Sequence, residues 1–97
     1  MVCPSYREIR KLLEVEIYTT PYCSFCHRAK NLLRQKGVSF TEIDLLGNPG
    51  KDAEMLRRSN GGRKVPQIFI GGRHVGDCNE LFELEAEDEL DRLLGIA

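Results

Sequence analysis

Net charge is what this chain has least of. Its 14 Lys and Arg against 15 Asp and Glu leave a charge of −1 over 97 residues. A balanced surface of this kind offers no nucleic-acid footprint and no polybasic patch for an anionic membrane. No apolar run approaches the roughly 20 residues that cross a bilayer. Residues 1–14 mix Arg7, Glu8, Arg10, Lys11 and Glu14 with apolar positions, so the continuous apolar core of a secretory signal is missing there. Internal repeats and low-complexity tracts are absent, and the length suits one domain. Cysteine is sparse: four residues in a chain with ample aliphatic content do not make a disulfide scaffold. Cysteines kept for chemistry rather than bracing point to the reducing cytoplasm.

Residues 1–14 read as an extension, with Tyr6, Ile9, Leu12 and Leu13 able to form one helical face, and residues 15–97 as the domain. Val15 and Ile17 alternate with Glu14 and Glu16, which predicts a first strand. Pro21 ends sheet pairing in the loop that follows. A helix is expected from Ser24 to Lys36, with Ala29, Leu32 and Leu33 as its apolar stripe and Gly37 as its stop. Val38 to Leu45 reads as a second strand. Asn48 as N-cap with Pro49 in the first helical position predicts a second helix, with Met55 and Leu56 facing inward and Asn60-Gly61-Gly62 ending it. Val65 to Ile70 reads as a buried strand, and Gly71-Gly72 as a tight hairpin into Arg73-His74-Val75. Asp77 with Glu80 three residues later is a capping-box variant opening a helix. A last helix buries Leu90, Leu93 and Leu94 and stops at Gly95. This order predicts an α/β fold: a small mixed four-stranded sheet with helices on both faces, the thioredoxin-like arrangement. Its first two strands are expected to be parallel and its hairpin strands antiparallel.

Cys23-Ser24-Phe25-Cys26 is the chemical centre of the sequence. Strand, short loop, C-x-x-C and helix is the arrangement of a redox dithiol. Unpaired amides at a helix start carry partial positive charge and stabilise a thiolate placed there. Tyr22 and Phe25 flank a loop expected to be exposed. Half of a zinc site is a rival, but zinc takes four Cys or His ligands. Only His27, Cys78 and Cys3 could join, and no second C-x-x-C or H-x-x-x-H exists. Two inert buried cysteines are the other rival. His27 reads as packing or surface rather than as an acid–base group, and Cys3 as a free thiol.

Two further segments stand out. A proline at Val65-Pro66 cannot donate to a sheet ladder. A trans proline opening the strand is the plain reading. The sharper one, favoured by the C-x-x-C, is a cis bond that turns the Val65 N–H and C=O outward to pair with an extended peptide. Gly76-Asp77-Cys78-Asn79-Glu80 is a helix start, and outward-pointing amides make such a start a carboxylate site. Beside Val65-Pro66 and Cys23, it could hold one end of a small anionic peptide.

Together these segments resemble the dithiol glutaredoxins of bacteria. The resemblance runs through Ile17-Tyr18-Thr19, Cys23-Ser24-Phe25-Cys26-His27-Arg28-Ala29-Lys30, Val65-Pro66-Gln67-Ile68-Phe69-Ile70 and Gly76-Asp77-Cys78-Asn79-Glu80-Leu81, and covers about residues 15–94. It implies a thioredoxin fold, glutathione as co-substrate, and reduction of glutathione mixed disulfides and protein disulfides. It makes Cys23 the nucleophile and Cys26 the resolving thiol. It implies a glutathione groove of Tyr22, Phe25, Lys64, Val65, Pro66, Asp77, Cys78 and Asn79. Expected partners are glutathione and glutathionylated or disulfide-bonded proteins, with no nucleic acid, no membrane and a monomeric chain. No metal is expected in this reading.

The departures from the family pattern matter. Ser24 and Phe25 replace the Pro and Tyr of the usual C-P-Y-C. The loop Thr19-Thr20-Pro21-Tyr22 lacks the common Lys, so Lys64 or Arg63 is expected to face a glutathione carboxylate. Asn79 replaces an Asp, which Asp77 or Glu80 could offset. Loss of the Pro also raises an alternative from the same family, a dimer holding a [2Fe–2S] cluster through two Cys23 thiolates and two glutathione thiols.

Overall fold

The structure is a computed structural model that describes residues 14–62 and 64–95. The helical face expected of Tyr6, Ile9, Leu12 and Leu13, together with Cys3 and Arg63, lies outside the described residues.

Strands β1 (Val15–Thr19), β2 (Phe40–Asp44), β3 (Gln67–Ile70) and β4 (Arg73–Gly76) form one sheet in the order β2-β1-β3-β4. The central β1 pairs parallel with β2 and antiparallel with β3, and β3 pairs antiparallel with β4. Helix α1 (Ser24–Gln35) links the two parallel strands. Gly71 and Gly72 have φ of 61° and 80°, the left-handed pair that a two-residue hairpin needs. Glu14, assigned to the extension from sequence, already joins this framework: its carbonyl accepts from the Gly71 N–H at 2.7 Å.

Alternation sends β1 side chains to two different cores. Val15 and Ile17, with Ile68 and Ile70 of β3, meet Ala29, Leu32 and Leu33 of α1. Helices α3 (Cys78–Ala86) and α4 (Leu90–Leu94) complete that side with Leu81, Leu90 and Leu94. Each Val, Ile or Leu among them stabilises the fold by about 1.5–3 kcal/mol in leaving water. On the opposite face Tyr18 and Phe69 pack on Met55 of α2 (Lys51–Arg58). Four strands, helices on both faces and the mixed topology are the thioredoxin-like fold expected from the element order.

Helix boundaries follow local rules except at α2. Gly37 (φ 73°) ends α1, and the Val38 N–H closes back to the Leu33 carbonyl at 3.3 Å. The Asp77 side chain caps α3 by accepting from the Glu80 N–H at 3.1 Å. For α2 the expected Asn48 cap is wrong. The cap is Gly50 (φ 91°), and the helix starts at Lys51 rather than Pro49. Asn48 spends its side chain on the preceding turn, donating from Nδ2 to the Asp44 carbonyl at 2.8 Å. Leu56, expected inside, is 36% exposed. The sheet-facing side of α2 is instead Met55 with Glu54 and Arg58, which reach polar groups of β1. The second and third strands are also shorter than expected, β3 beginning only after Pro66.

Candidate active site

Cys23 is the N-cap of α1, in extended backbone (φ −97°, ψ 112°). Its Sγ accepts from the Cys26 N–H at 3.2 Å, one of the helix-start amides that have no partner within the helix. Its own N–H donates to the Thr20 carbonyl at 3.4 Å, so a tight turn presents the sulfur. Cys23 is half-buried, and Cys26 has no solvent contact at all. Burial pushes the Cys26 thiol up to about 12, and its hydrogen bond with Cys23 adds to the rise. The two thiols are therefore unlike: one is reachable and amide-supported, the other enclosed and held protonated.

The Val65-Pro66 bond is cis, as the sharper reading expected. Pro66 is fully buried, and the Cys23 thiol points at the Val65 carbonyl at 3.6 Å. Gln67 steadies this segment by donating from Nε2 to the Lys64 carbonyl at 2.9 Å, while its Oε1 meets His74 Nε2 at 2.6 Å. Lys64 itself is exposed.

The start of α3 lies against the first turns of α1. Phe25, Arg28, Cys78, Asn79 and Phe82 line a cleft of about 700 Å³ between the two helices. Cys78 is buried, and burial pushes its thiol up against the opposing pull of the Arg28 guanidinium. Asn79 is exposed, and Asp77 is partly buried as the helix cap. Tyr22, 91% exposed, and Phe25, 50% exposed, rise on either side of Cys23. His27 is exposed, in keeping with a surface role. Among the described residues no group of three or more His, Cys, Asp or Glu comes together as a metal site.

One cluster at the site went unread in the sequence. Lys30 Nζ donates to Glu42 Oε2 at 2.8 Å, and Thr19 Oγ1 donates to the same oxygen at 2.7 Å. Lys30 is among the buried residues of α1. The signal was present: a cation four residues after Cys26, on the stripe otherwise made of Cys, Ala and Leu.

Fold and site together define a thioredoxin-like dithiol protein, with one accessible thiol at a helix start beside a cis proline. Comparison with known proteins narrows the class. The glutaredoxin family model matches residues 15–75. Glutaredoxin 3 of Escherichia coli K12 is 52% identical over 83 residues, which cover 86% of this chain and 99% of that relative. The solution structure of a glutaredoxin from Brucella melitensis superposes with a TM-score of 0.75 at 49% identity, covering 89% of this chain and 92% of the other. The crystal structure of a buckwheat glutaredoxin–glutathione complex superposes with a TM-score of 0.77 at 28% identity, over 95% and 94% of the two chains. The chain belongs to the glutaredoxin family, whose general chemistry is glutathione-dependent thiol oxidoreduction.

Proposed function

We propose that the chain reduces protein–glutathione mixed disulfides, and protein disulfides through its second thiol, with Cys23 as the attacking sulfur. The contrast between the half-buried Cys23 at the helix cap and the enclosed Cys26 carries this reading. The Cys23 thiolate attacks the glutathione sulfur of a mixed disulfide. That S–S bond breaks, the protein thiolate leaves and takes up a proton, and Cys23 holds glutathione. A second glutathione thiolate then attacks the glutathione sulfur of the adduct, releasing oxidised glutathione and the Cys23 thiolate. Alternatively Cys26 attacks Cys23 and expels glutathione. Every step is thiol–disulfide exchange.

In this reading the tripeptide lies extended along Val65, ahead of Pro66. Its γ-glutamyl carboxylate meets the amides of Cys78 and Asn79 at the start of α3, where a helix favours anions. Asp77 and Glu80 stand nearby for its ammonium group. Tyr22 and Phe25 wall the sulfur, and Lys64 supplies positive charge from the cis-proline side. The buckwheat relative, solved as a glutathione complex, supports glutathione as the ligand. The proposal extends to a monomer working in a reducing cytoplasm. A cluster-holding dimer would draw one thiolate from each chain at Cys23, since Cys26 and Cys78 are buried.

Turnover of a small glutathione mixed disulfide, coupled to glutathione and its reductase, tests the function directly. The Cys26→Ser variant should keep most of this turnover, because external glutathione replaces the resolving thiol. It should lose the reduction of protein disulfides that needs both thiols. Equal loss in the two assays contradicts the division of labour. A visible absorbance spectrum of the purified protein tests the cluster alternative.

A further inference from the structure

We propose that Lys30, held in place by Glu42 and Thr19, is a positioning residue for the resolving step: its ammonium group favours the Cys26 sulfur as that sulfur attacks glutathionylated Cys23. The inference rests on the reading above that Cys26 resolves the adduct.

Lys30 lies one turn beyond Cys26 on the same buried stripe of α1, a spacing that brings side chains together. Its side chain is only 11% exposed. Lysine is among the residues least often buried, and an apolar side chain would fill this stripe more cheaply. Glu42 offsets the cost, since one carboxylate oxygen accepts from both Lys30 and Thr19. Glu42 faces Ile17 across the parallel pair, and Thr19 is two residues further along β1, so all three share the α1 side of the sheet. Thr19 is buried and ends β1, and the next residue, Thr20, accepts from the Cys23 N–H. A single carboxylate therefore ties the root of the loop bearing Cys23 to the helical turn beneath Cys26.

The chemistry explains why a charge is useful there. In resolution the Cys26 thiol loses its proton and its sulfur attacks Cys23 Sγ. The Cys23–Cys26 bond forms, the Cys23–glutathione bond breaks, and glutathione leaves as a thiolate that takes up a proton. Burial opposes the Cys26 thiolate, while the Thr20 backbone and the Lys30 charge favour it. The opposition of a free Cys23 is lifted once that sulfur is bonded to glutathione. Glu42 of β2 accepts from Lys30 and offsets part of its charge, and β1 and its following loop contribute the uncharged Thr19 and Thr20. Without the ammonium group a smaller fraction of Cys26 is ionised. Each tenfold loss of thiolate returns only about threefold in nucleophilicity, so every tenfold loss of thiolate leaves a net slowing of about threefold. Turnover by external glutathione bypasses Cys26 and is less sensitive to Lys30.

The test mixes the full chain with oxidised glutathione, which releases one glutathione as it glutathionylates Cys23, and follows release of the second glutathione in a single turnover across pH. Lys30→Met should slow release about threefold to tenfold and displace the whole rate–pH curve to higher pH. Lys30→Arg should restore the rate to within about twofold. The loss of Cys26-independent turnover should be smaller than the loss of resolution. Lys30→Gln gives the same measurement if the Met variant does not fold. Resolution at the wild-type rate, an undisplaced pH curve, or equal losses in both reactions overturns the role of Lys30. Because the adduct is made chemically, wild-type protein without steady-state turnover would instead sink the function proposed above.

Discussion

The two faces of the sheet are held by different physics. The α1, α3 and α4 side is a continuous apolar cluster with charge at two places: the buried Lys30 with its partner Glu42, and Lys36 at the end of α1, which pairs with Glu85 of α3 and Asp91 of α4 at 2.7 Å. The α2 side has a small apolar cluster overlaid with charge. Arg58 donates to both Glu16 oxygens at 2.8 and 3.1 Å and to the Tyr18 hydroxyl at 2.8 Å, and lies 4.1 Å from the Phe69 ring centre. Tyr18 in turn donates to Glu54, which also pairs with Lys51 at 2.9 Å. An eight-residue helix has little apolar surface to bury, so a charge network clips it to the sheet. The longer helix α1 is packed by area, which suits the element that must hold two sulfurs in register.

The largest effect expected from breaking this contrast is at the edge of the apolar side. Cys23→Ser should reduce mixed-disulfide turnover to background while leaving stability within about 0.5 kcal/mol, because serine is itself a favoured N-cap. Substantial residual turnover would remove Cys23 from the mechanism. On the charged side, Arg58→Ala leaves Glu16 without its partner and strips the cover from Phe69. It should cost about 2 kcal/mol in denaturant unfolding, with turnover at low temperature largely kept. A cost below about 0.5 kcal/mol would show that apolar packing alone holds α2.

Acid should loosen both faces. The hydrogen bond from Tyr18 and then that from Lys51 hold the Glu54 carboxyl below its ordinary value. Lys30 and then Thr19 do the same for Glu42. A carboxyl depressed in the folded state adds stability above its unfolded value, and that stability is lost as pH falls through the folded one. The melting temperature should therefore drop on acidification below about pH 4.5, the ordinary value for Glu. The drop should be shallower in Glu54→Gln and in Glu42→Gln, and an equally steep drop in both variants would rule out these pairs as its source. The smallest effect concerns the groove. Replacing Arg63 and Lys64 together with Gln should raise KM for glutathione-containing substrates about two- to fivefold and lower kcat much less, as loss of uniform binding does. The effect should shrink as salt rises. An unchanged KM at low ionic strength would mean that these residues do not take the place of the missing loop lysine.

Much of the site was legible because it is written in short-range rules. Cys23 at a helix start, Gly37 as a stop, Gly71-Gly72 as a hairpin and Asp77 as a cap each depend on a few adjacent residues, and each stands as expected. The start of α2 misled for the same reason. Asn48-Pro49 has the chemistry of a cap, but the Asp44 carbonyl competes for the Asn48 side chain, and Gly50 takes the left-handed position instead. Leu56 misled because apolar character alone suggested the inner face, whereas Met55 occupies the core and the Glu54 and Arg58 side chains reach β1.

By itself the sequence determined the dithiol and its spacing, the order of strands and helices, and which turns are tight. Steric limits and capping act over a few residues, so such features need no knowledge of the rest of the chain. Only the tertiary structure decided that the Val65 carbonyl faces the Cys23 sulfur across 42 residues of chain. It also decided that Cys26 is sealed while Cys23 is not, and that Glu42 reaches both Thr19 and Lys30. These depend on strand register, where a slip of one residue sends every side chain to the other face. That register is set by the whole apolar core at once rather than by any local run of residues.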